Sequence, residues 1–322
     1  MVCPICNNEI TIDNIKYNDF AWNKYSLFSN LEIASCEICG FGFVKNKIDL
    51  SELGDYYSKS YRSKNSPFYF NFEKKINNRI ALDYAGDRSF AQLTLARAFT
   101  KFNPNDIFLD IGPGKGGSLL FANKLFQSPQ LYCIELTKGA SEFFKVNHNA
   151  ITFDNLDRFI KNGLRAKILL MSHSLEHYRV DDLIDLLNEL KLSLFSDGVI
   201  VVEVPHCDLR IHKEVRGNDT PHLLFFSAES LKQLFEKNGF EILFLDTVCD
   251  FYENIQPVKG IRLKSKLRSA YNKTPVIFKN ILRSFVRYIF KIKSKFNKQV
   301  KLSQYTYGGN RDTLRLVARI KK

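Results

Sequence analysis

The feature that most restricts the fold is a short apolar run ending in glycines. Ile107-Phe108-Leu109-Asp110-Ile111 passes directly into Gly112-Pro113-Gly114-Lys115-Gly116-Gly117, and a helical pattern follows over 118–125. A run of that length and apolarity suits a strand buried in a parallel sheet, so an α/β fold is expected. Strand, glycine loop and helix in that order make the loop meaningful, because glycines let a backbone turn tightly and approach a ligand closely.

Two ligand patterns overlap in this loop. Gly112, Gly114 and Gly117 satisfy the dinucleotide pattern G-x-G-x-x-G. Asp110 with Gly112, Gly114 and Gly116 satisfies D-x-G-x-G-x-G. The second pattern resembles the nucleotide loop of class I S-adenosylmethionine (SAM)-dependent methyltransferases, in which the acid on the first strand reaches the methionine part of SAM. A carboxylate there suits an ammonium and a sulfonium, and would repel a pyrophosphate. The next strand, Leu131-Tyr132-Cys133-Ile134, ends at Glu135, 19 residues beyond Gly116. An acid at that spacing accepts hydrogen bonds from ribose hydroxyls in either ligand.

The resemblance continues along 105–250 and the last ten residues. Ile168-Leu169-Leu170-Met171 reads as a fourth strand, followed by Ser172-His173-Ser174-Leu175-Glu176-His177, which is similar to the S-x-L-E-H turn of small-molecule and sugar methyltransferases. A helix over 181–194, a turn at Ser196-Asp197-Gly198, a fifth strand over 199–204, a helix over 228–238 capped by Ser227, and a sixth strand over 241–246 follow. The alternation over 313–320 reads as a seventh, antiparallel strand. The family implies a Rossmann-like sheet of order 3-2-1-4-5-7-6. It also implies SAM contacts from Asp110, Gly112, Gly114, Gly116, Glu135 and His173, with Asp154 and Asn155 placed for the adenine. No [D/N]-P-P-[Y/F/W] tetrapeptide follows the fourth strand, which argues against methylation of exocyclic or amide nitrogens.

The N-terminus carries a second signal. Cys3 and Cys6 form one CxxC pair and Cys36 and Cys39 another, with 29 residues between. Four thiolates complete a tetrahedral zinc site with no open position, so a structural Zn2+ in a zinc ribbon over 1–50 is expected. Strand-like runs at 25–28 and 31–34 would belong to it, and removing the ion is expected to unfold that module alone. Combined with the glycine loop, it resembles methyltransferases of surface-polysaccharide and sugar pathways. The remaining segments are an aromatic and helical linker over 51–104, with a long helix over 70–102, the SAM-binding core over 105–250, an insertion over 251–310 and the final strand over 311–322. The linker's Asp55-Tyr56-Tyr57 and Tyr61-Arg62 either line a substrate pocket or pack between domains.

Methyl transfer from a sulfonium mainly needs donor and acceptor aligned, and a hydroxyl acceptor also needs a base. Open α/β sheets bind ligands at the carboxyl ends of their strands. His173, Glu176, His177, His206 and His222 fall there, with His177 and His222 the preferred catalytic pair. A metal held by His173 and His177, four apart, finds no evident third ligand. The acceptor is expected to be a small molecule or glycan, nucleotide- or lipid-linked, with a sugar hydroxyl in surface-polysaccharide biosynthesis foremost. The alternatives are a zinc-ribbon RNA methyltransferase and an inactive SAM-fold scaffold.

Charge is sorted along the chain. The sequence holds 47 Lys+Arg against 34 Asp+Glu, a formal +13. From 259 to 322 lie 19 Lys/Arg and one acid, Asp312, which leaves 28 basic and 33 acidic residues before it. The body is therefore at −5 and the last segment at +18. From Pro275 to Lys298 the pattern is an amphipathic helix with basic residues on one face and Phe/Ile/Leu on the other. That sorting suits an anionic membrane surface first, docking on the protein's own acidic body or a partner subunit second, and nucleic acid last. Met1 is followed almost at once by Cys3, without a basic or apolar leader, and no stretch reaches 18 uninterrupted apolar residues. The expected location is the cytoplasm, at the inner face of the membrane if 275–298 docks there.

Overall fold

A computed structural model of the chain describes residues 1–10, 16–17, 26–28, 30–63, 85–127, 129–137, 139–211, 214–215, 222–248 and 313–322. The basic helix expected at 275–298, the whole 251–310 insertion and the first part of the helix expected over 70–102 lie outside the described residues.

A seven-stranded sheet forms the core. Its strands are β3 (Ile107–Ile111), β4 (Gln130–Ile134), β5 (Ile151–Phe153), β6 (Ala166–Ser172), β7 (Leu194–Pro205), β9 (Phe240–Val248) and β10 (Thr313–Ile320). They lie in the order β9-β10-β7-β6-β3-β4-β5. Counted within the sheet, this is the order 3-2-1-4-5-7-6 that the sequence predicts. β3 pairs in parallel with both β4 and β6, and β10 runs antiparallel to β7. Alternate residues feed the two faces. Ile168 and Leu170 of β6 pack with Phe108, Val199 and Val317, whereas Leu169 and Met171 pack with Leu109, Ile200 and Leu316. A strand buried on both faces needs an uninterrupted apolar run, which is why these segments read so clearly in the sequence.

Helices α2 (Ala85–Phe99), α3 (Gly117–Leu125), α4 (Ala140–His148), α5 (Leu156–Lys161), α6 (Leu183–Leu192) and α7 (Ala228–Lys237) cover the sheet. In α6, Leu183, Leu186, Leu187 and Leu190 fall at i, i+3, i+4 and i+7 and are all buried. Each contributes roughly 1.5–3 kcal/mol by leaving water. Ser227 caps α7 in a reciprocal box with Ser230. The expected Ser196-Asp197-Gly198 turn is instead part of β7. The strand starts at Leu194, and an irregularity opposite Ala166 and Ile168 accommodates the extra residues while Asp197 pairs with Lys167.

The N-terminal sheet also departs from expectation. It has three strands, β1 (Ile33–Ser35), β2 (Gly42–Val44) and β8 (Leu224–Phe225), in the order β8-β2-β1. The third strand is supplied from the second half of the chain, by the pairing of Leu224 with Phe43 and Phe225 with Gly42. The strand-like run at 25–28 is a 3-10 turn over Ser26–Phe28, where Phe28 is buried edge-on against Tyr56 at 4.8 Å between ring centres. No helix among the described residues is long and apolar enough to cross a membrane.

Candidate active site and cysteine cluster

Strand order reverses between β3 and β6, and open α/β sheets bind ligands where it does. β3 delivers Asp110, β4 delivers Glu135 just past its end, and the turn after β6 delivers His173 to His177. Asp110 is 1% exposed and accepts a hydrogen bond from the Ser118 hydroxyl through Oδ2, while Oδ1 is buried without a hydrogen-bond partner among the described residues. Burial raises its pKa to about 7 against the Ser118 bond, with the nearby Glu135 charge adding to the rise. Glu135 Oε1 accepts from Thr137 N at 2.8 Å.

Gly112, Gly114 and Gly116 all have left-handed backbones, at φ of 76, 62 and 82°. A Cβ on Gly116 would come within 2.6 Å of His148 Nε2 and 3.2 Å of Phe144 Cε1, whereas a Cβ on Gly114 would meet nothing within 4 Å. Gly116 therefore lets the loop close onto α4, and Gly114 faces open space. Gly116→Ala is expected to lower the unfolding free energy by about 2–4 kcal/mol, from backbone strain and overpacking together. Gly114→Ala should cost about 1–2 kcal/mol, from strain alone. Equal losses in urea titrations of the two variants would contradict this division.

Asp154 is exposed and pairs with Arg158 Nη1 at 3.1 Å, and Asn155 caps α5 by accepting from Arg158 N at 2.9 Å. Both stand just past the end of β5, on the Glu135 side of the site. His173 has a left-handed backbone, φ 53°, and its ring lies between two buried acids. Nδ1 is 3.3 Å from Glu176 Oε1 and Nε2 3.6 Å from Glu203 Oε1. A non-glycine residue in that region costs of order 1–3 kcal/mol and is found where surroundings over-determine it.

His177 and His222 come together with ring centres 5.1 Å apart. The Tyr57 hydroxyl contacts His177 Nδ1 at 2.9 Å, which orients the ring. Tyr57 sits in a wide π-type helical turn over Tyr56–Ser60, following α1 (Leu50–Asp55) and closed by Tyr61 N donating to Tyr56 O. The aromatic linker thus contributes to the pocket, one of the two roles expected for it. His222 Nε2 stands 4.0 Å from Glu176 Oε1. Burial first, and then neighbouring His177, lower the His222 pKa to about 3 against the pull of Glu176, so its ring is neutral and a weak base at physiological pH. His206 forms an isolated parallel bridge to Phe226.

One buried ion-pair network was not anticipated. Glu203 of β7 is bound by Arg315 Nε of β10 at 2.6 Å and approached by Arg88 Nε of α2 at 3.3 Å. Its sequence signal is faint: an acid inside the run Val201-Val202-Glu203-Val204 and an arginine inside Leu314-Arg315-Leu316.

The four expected cysteines also converge. Cys3 Sγ is 3.7 Å from Cys39 Sγ and Cys6 Sγ 3.4 Å from Cys36 Sγ, and all four sulfurs lie within 4.8 Å of one another. A tetrahedral site with Zn–S bonds of about 2.3 Å needs sulfur separations of about 3.8 Å. The two pairs sit in matching turns. Asn7 N donates to Cys3 O at 3.0 Å and Gly40 N to Cys36 O at 2.8 Å, with Asn7 and Gly40 both left-handed.

The methyltransferase domain family matches residues 84–245, and the chain belongs to that family. No curated protein matches it in sequence. Among solved structures the chain is similar to the plantazolicin methyltransferase BpumL in complex with a triazolic desmethylPZN analog and SAH, at 13% identity and TM-score 0.47 over 84% of this chain and 98% of that one. It is similar to a SAM-dependent methyltransferase from Archaeoglobus fulgidus at 16% identity and TM-score 0.42, over 76% and 100%. It is also similar to a Haloferax volcanii complex of the Trm112 methyltransferase activator with a methyltransferase, at 12% identity and TM-score 0.47, over 77% and 100%.

Proposed function

We propose that the chain transfers a methyl group from SAM to a hydroxyl of a small molecule or glycan, with a sugar hydroxyl of surface-polysaccharide biosynthesis as the first candidate. The observation that carries this reading is the Asp110 carboxyl, buried with one oxygen unpartnered beside an open glycine loop, one strand from the Glu176–His177–His222 group. SAM supplies a methyl group already activated on a positive sulfur. Asp110 complements the positive methionine end, Glu135 the ribose hydroxyls, and the backbones of Gly112, Gly114 and Gly116 permit close approach. His173 lines the same turn, and Asp154 and Asn155 lie on the adenine side.

The acceptor oxygen attacks the methyl carbon in line. As the new O–C bond forms, the C–S bond breaks and its electron pair goes to sulfur, leaving a neutral thioether. The hydroxyl proton leaves toward Glu176, His177 and His222, where Tyr57 orients the His177 ring and burial makes His222 a weak base.

The test is methyl-labelled SAM incubated with nucleotide-sugar, lipid-linked glycan and RNA fractions. Label is expected on a sugar hydroxyl. Label confined to RNA would overturn the reading in favour of an RNA methyltransferase, and SAM binding with no transfer to any fraction would leave a scaffold. His177→Asn should lower turnover by about 10²–10⁴-fold with SAM affinity unchanged.

The same proposal includes a structural Zn2+ on Cys3, Cys6, Cys36 and Cys39, supported by the sulfur separations. It also includes attachment of 275–298 to anionic lipid on the inner membrane face, supported by the sorted faces of that sequence.

A further inference from the structure

Glu176 is the least satisfied charge at the acceptor side of the site. It is 1% exposed, and neither carboxylate oxygen has a hydrogen-bond partner among the described residues. Two imidazoles approach it, His173 Nδ1 at 3.3 Å and His222 Nε2 at 4.0 Å, and no lysine or arginine among the described residues pairs with it. A carboxylate this deeply buried needs a positive partner to offset its lost hydration. The groups around it are lone-pair donors. Glu176, His177 and His222 each present one ligand atom, all within 4.8 Å of one another.

We propose that Glu176, His177 and His222 bind a divalent transition-metal ion at the acceptor side of the cleft. Two imidazoles and one carboxylate are a borderline donor set, suited to ions such as Fe2+, Co2+ or Zn2+ rather than Ca2+ or Mg2+. Small side-chain rotations would bring the three atoms to the roughly 2.0–2.2 Å of N and O ligands. Tyr57 supplies the outer contact that ligating histidines usually have, fixing the His177 ring through Nδ1. Three protein ligands leave coordination positions open, and these would take oxygens of the acceptor, which points to acceptors with vicinal hydroxyls or a hydroxyl beside a carboxylate. The proposal rests on the methyl-transfer reading only for the position of the acceptor. It changes one step of it: with an ion bound, His177 is a ligand, and coordination acidifies the hydroxyl so that its proton departs to solvent. The metal is separate from the cysteine cluster, whose donors are all sulfur.

Co2+ is the probe, because thiolate and imidazole sites give it different spectra. The full chain, with its cysteine cluster filled by zinc, is titrated with Co2+ in the absence of SAM and acceptor, by calorimetry and visible absorption. One saturable Co2+ per chain is expected, with the weak bands of N/O ligation. Glu176→Gln and His222→Asn should each weaken binding at least tenfold, and Asp110→Asn should leave it unchanged. Circular dichroism and a cooperative urea transition establish that each variant is folded. If one is not, the other and His177→Asn decide. No saturable binding, bands of thiolate ligation alone, or parental affinity in a folded Glu176→Gln would overturn the proposal. Because the titration uses no methyl donor, its failure leaves the methyl-transfer reading standing, and the reverse also holds.

Discussion

Replacing Asp110 by Asn should stabilise the protein and abolish SAM binding at the same time. In the folded chain burial raises the Asp110 pKa from 3.8 to about 7. A folded pKa above the unfolded one means that the native state holds more protons than the unfolded state between those values. Stability contributed by this group therefore falls as pH rises from about 3.8 to about 7, and the whole cost is present above that. The span corresponds to roughly 4 kcal/mol. Asn keeps the shape and can still accept from Ser118, so at pH 8 the variant should unfold at higher denaturant than the parent, and near pH 4 the two should converge. The same charge should be what draws a cationic ligand. SAM binding should pull the Asp110 pKa down again and release a proton at or below about pH 7, seen as a dependence of calorimetric enthalpy on buffer ionisation. Unfolding of the variant at the parent midpoint at pH 8, or parental SAM affinity, would sink the argument.

Removing the zinc proposed for the four cysteines should weaken far more than the first fifty residues. The sequence reads as a separate ribbon, but the contacts are shared. β2 pairs with β8, the Ser227 hydroxyl donates to Cys39 O at 2.5 Å, and Lys237 Nζ donates to Ile5 O at 2.7 Å. Phe41 packs on Phe226 at 5.4 Å, and Cys3, Ile5 and Phe41 belong to one buried cluster with Leu224, Leu231 and the strands of the large sheet. The path continues to the site: Val44 N donates to Leu223 O and Leu223 N to Glu176 O, at 2.9 and 2.8 Å. Structural zinc contributes about 10–16 kcal/mol in small peptides, comparable with the whole stability of a domain. Chelation, or Cys39→Ser, should thus lower the melting temperature of a single cooperative transition and displace the His177 and His222 resonances. A biphasic melt with an unaltered high-temperature step would show that the ribbon stands alone after all.

What was legible in the sequence is what is local. Asp110, the glycine loop and Glu135 are read from one stretch of chain because a strand, a turn and a helix place them there. The strands β3, β6, β7 and β10 announce themselves through apolar runs or alternation. The rest depends on residues far apart. Tyr57 meets His177 across 120 positions, and Arg315 meets Glu203 across 112. β8 joins β2 without a periodic pattern, being two residues long. The third metal-ligand candidates beside His177 are likewise hidden, because His222 is supplied from a different segment. A left-handed His173 is a product of its surroundings, and no residue-type preference signals it.

The position of β10 bears on how the molecule is made. It lies between β7 and β9, although it is synthesised after both. On the ribosome β9 cannot take its place until the chain beyond residue 313 emerges, a wait of roughly 4–15 s at ordinary rates of translation. During that interval β7 presents an unpaired edge and Glu203 lacks Arg315, leaving the nascent protein open to wrong strand partners. Chaperone dependence during synthesis, and insolubility of chains cut before β10, are the outcomes expected from that strand order.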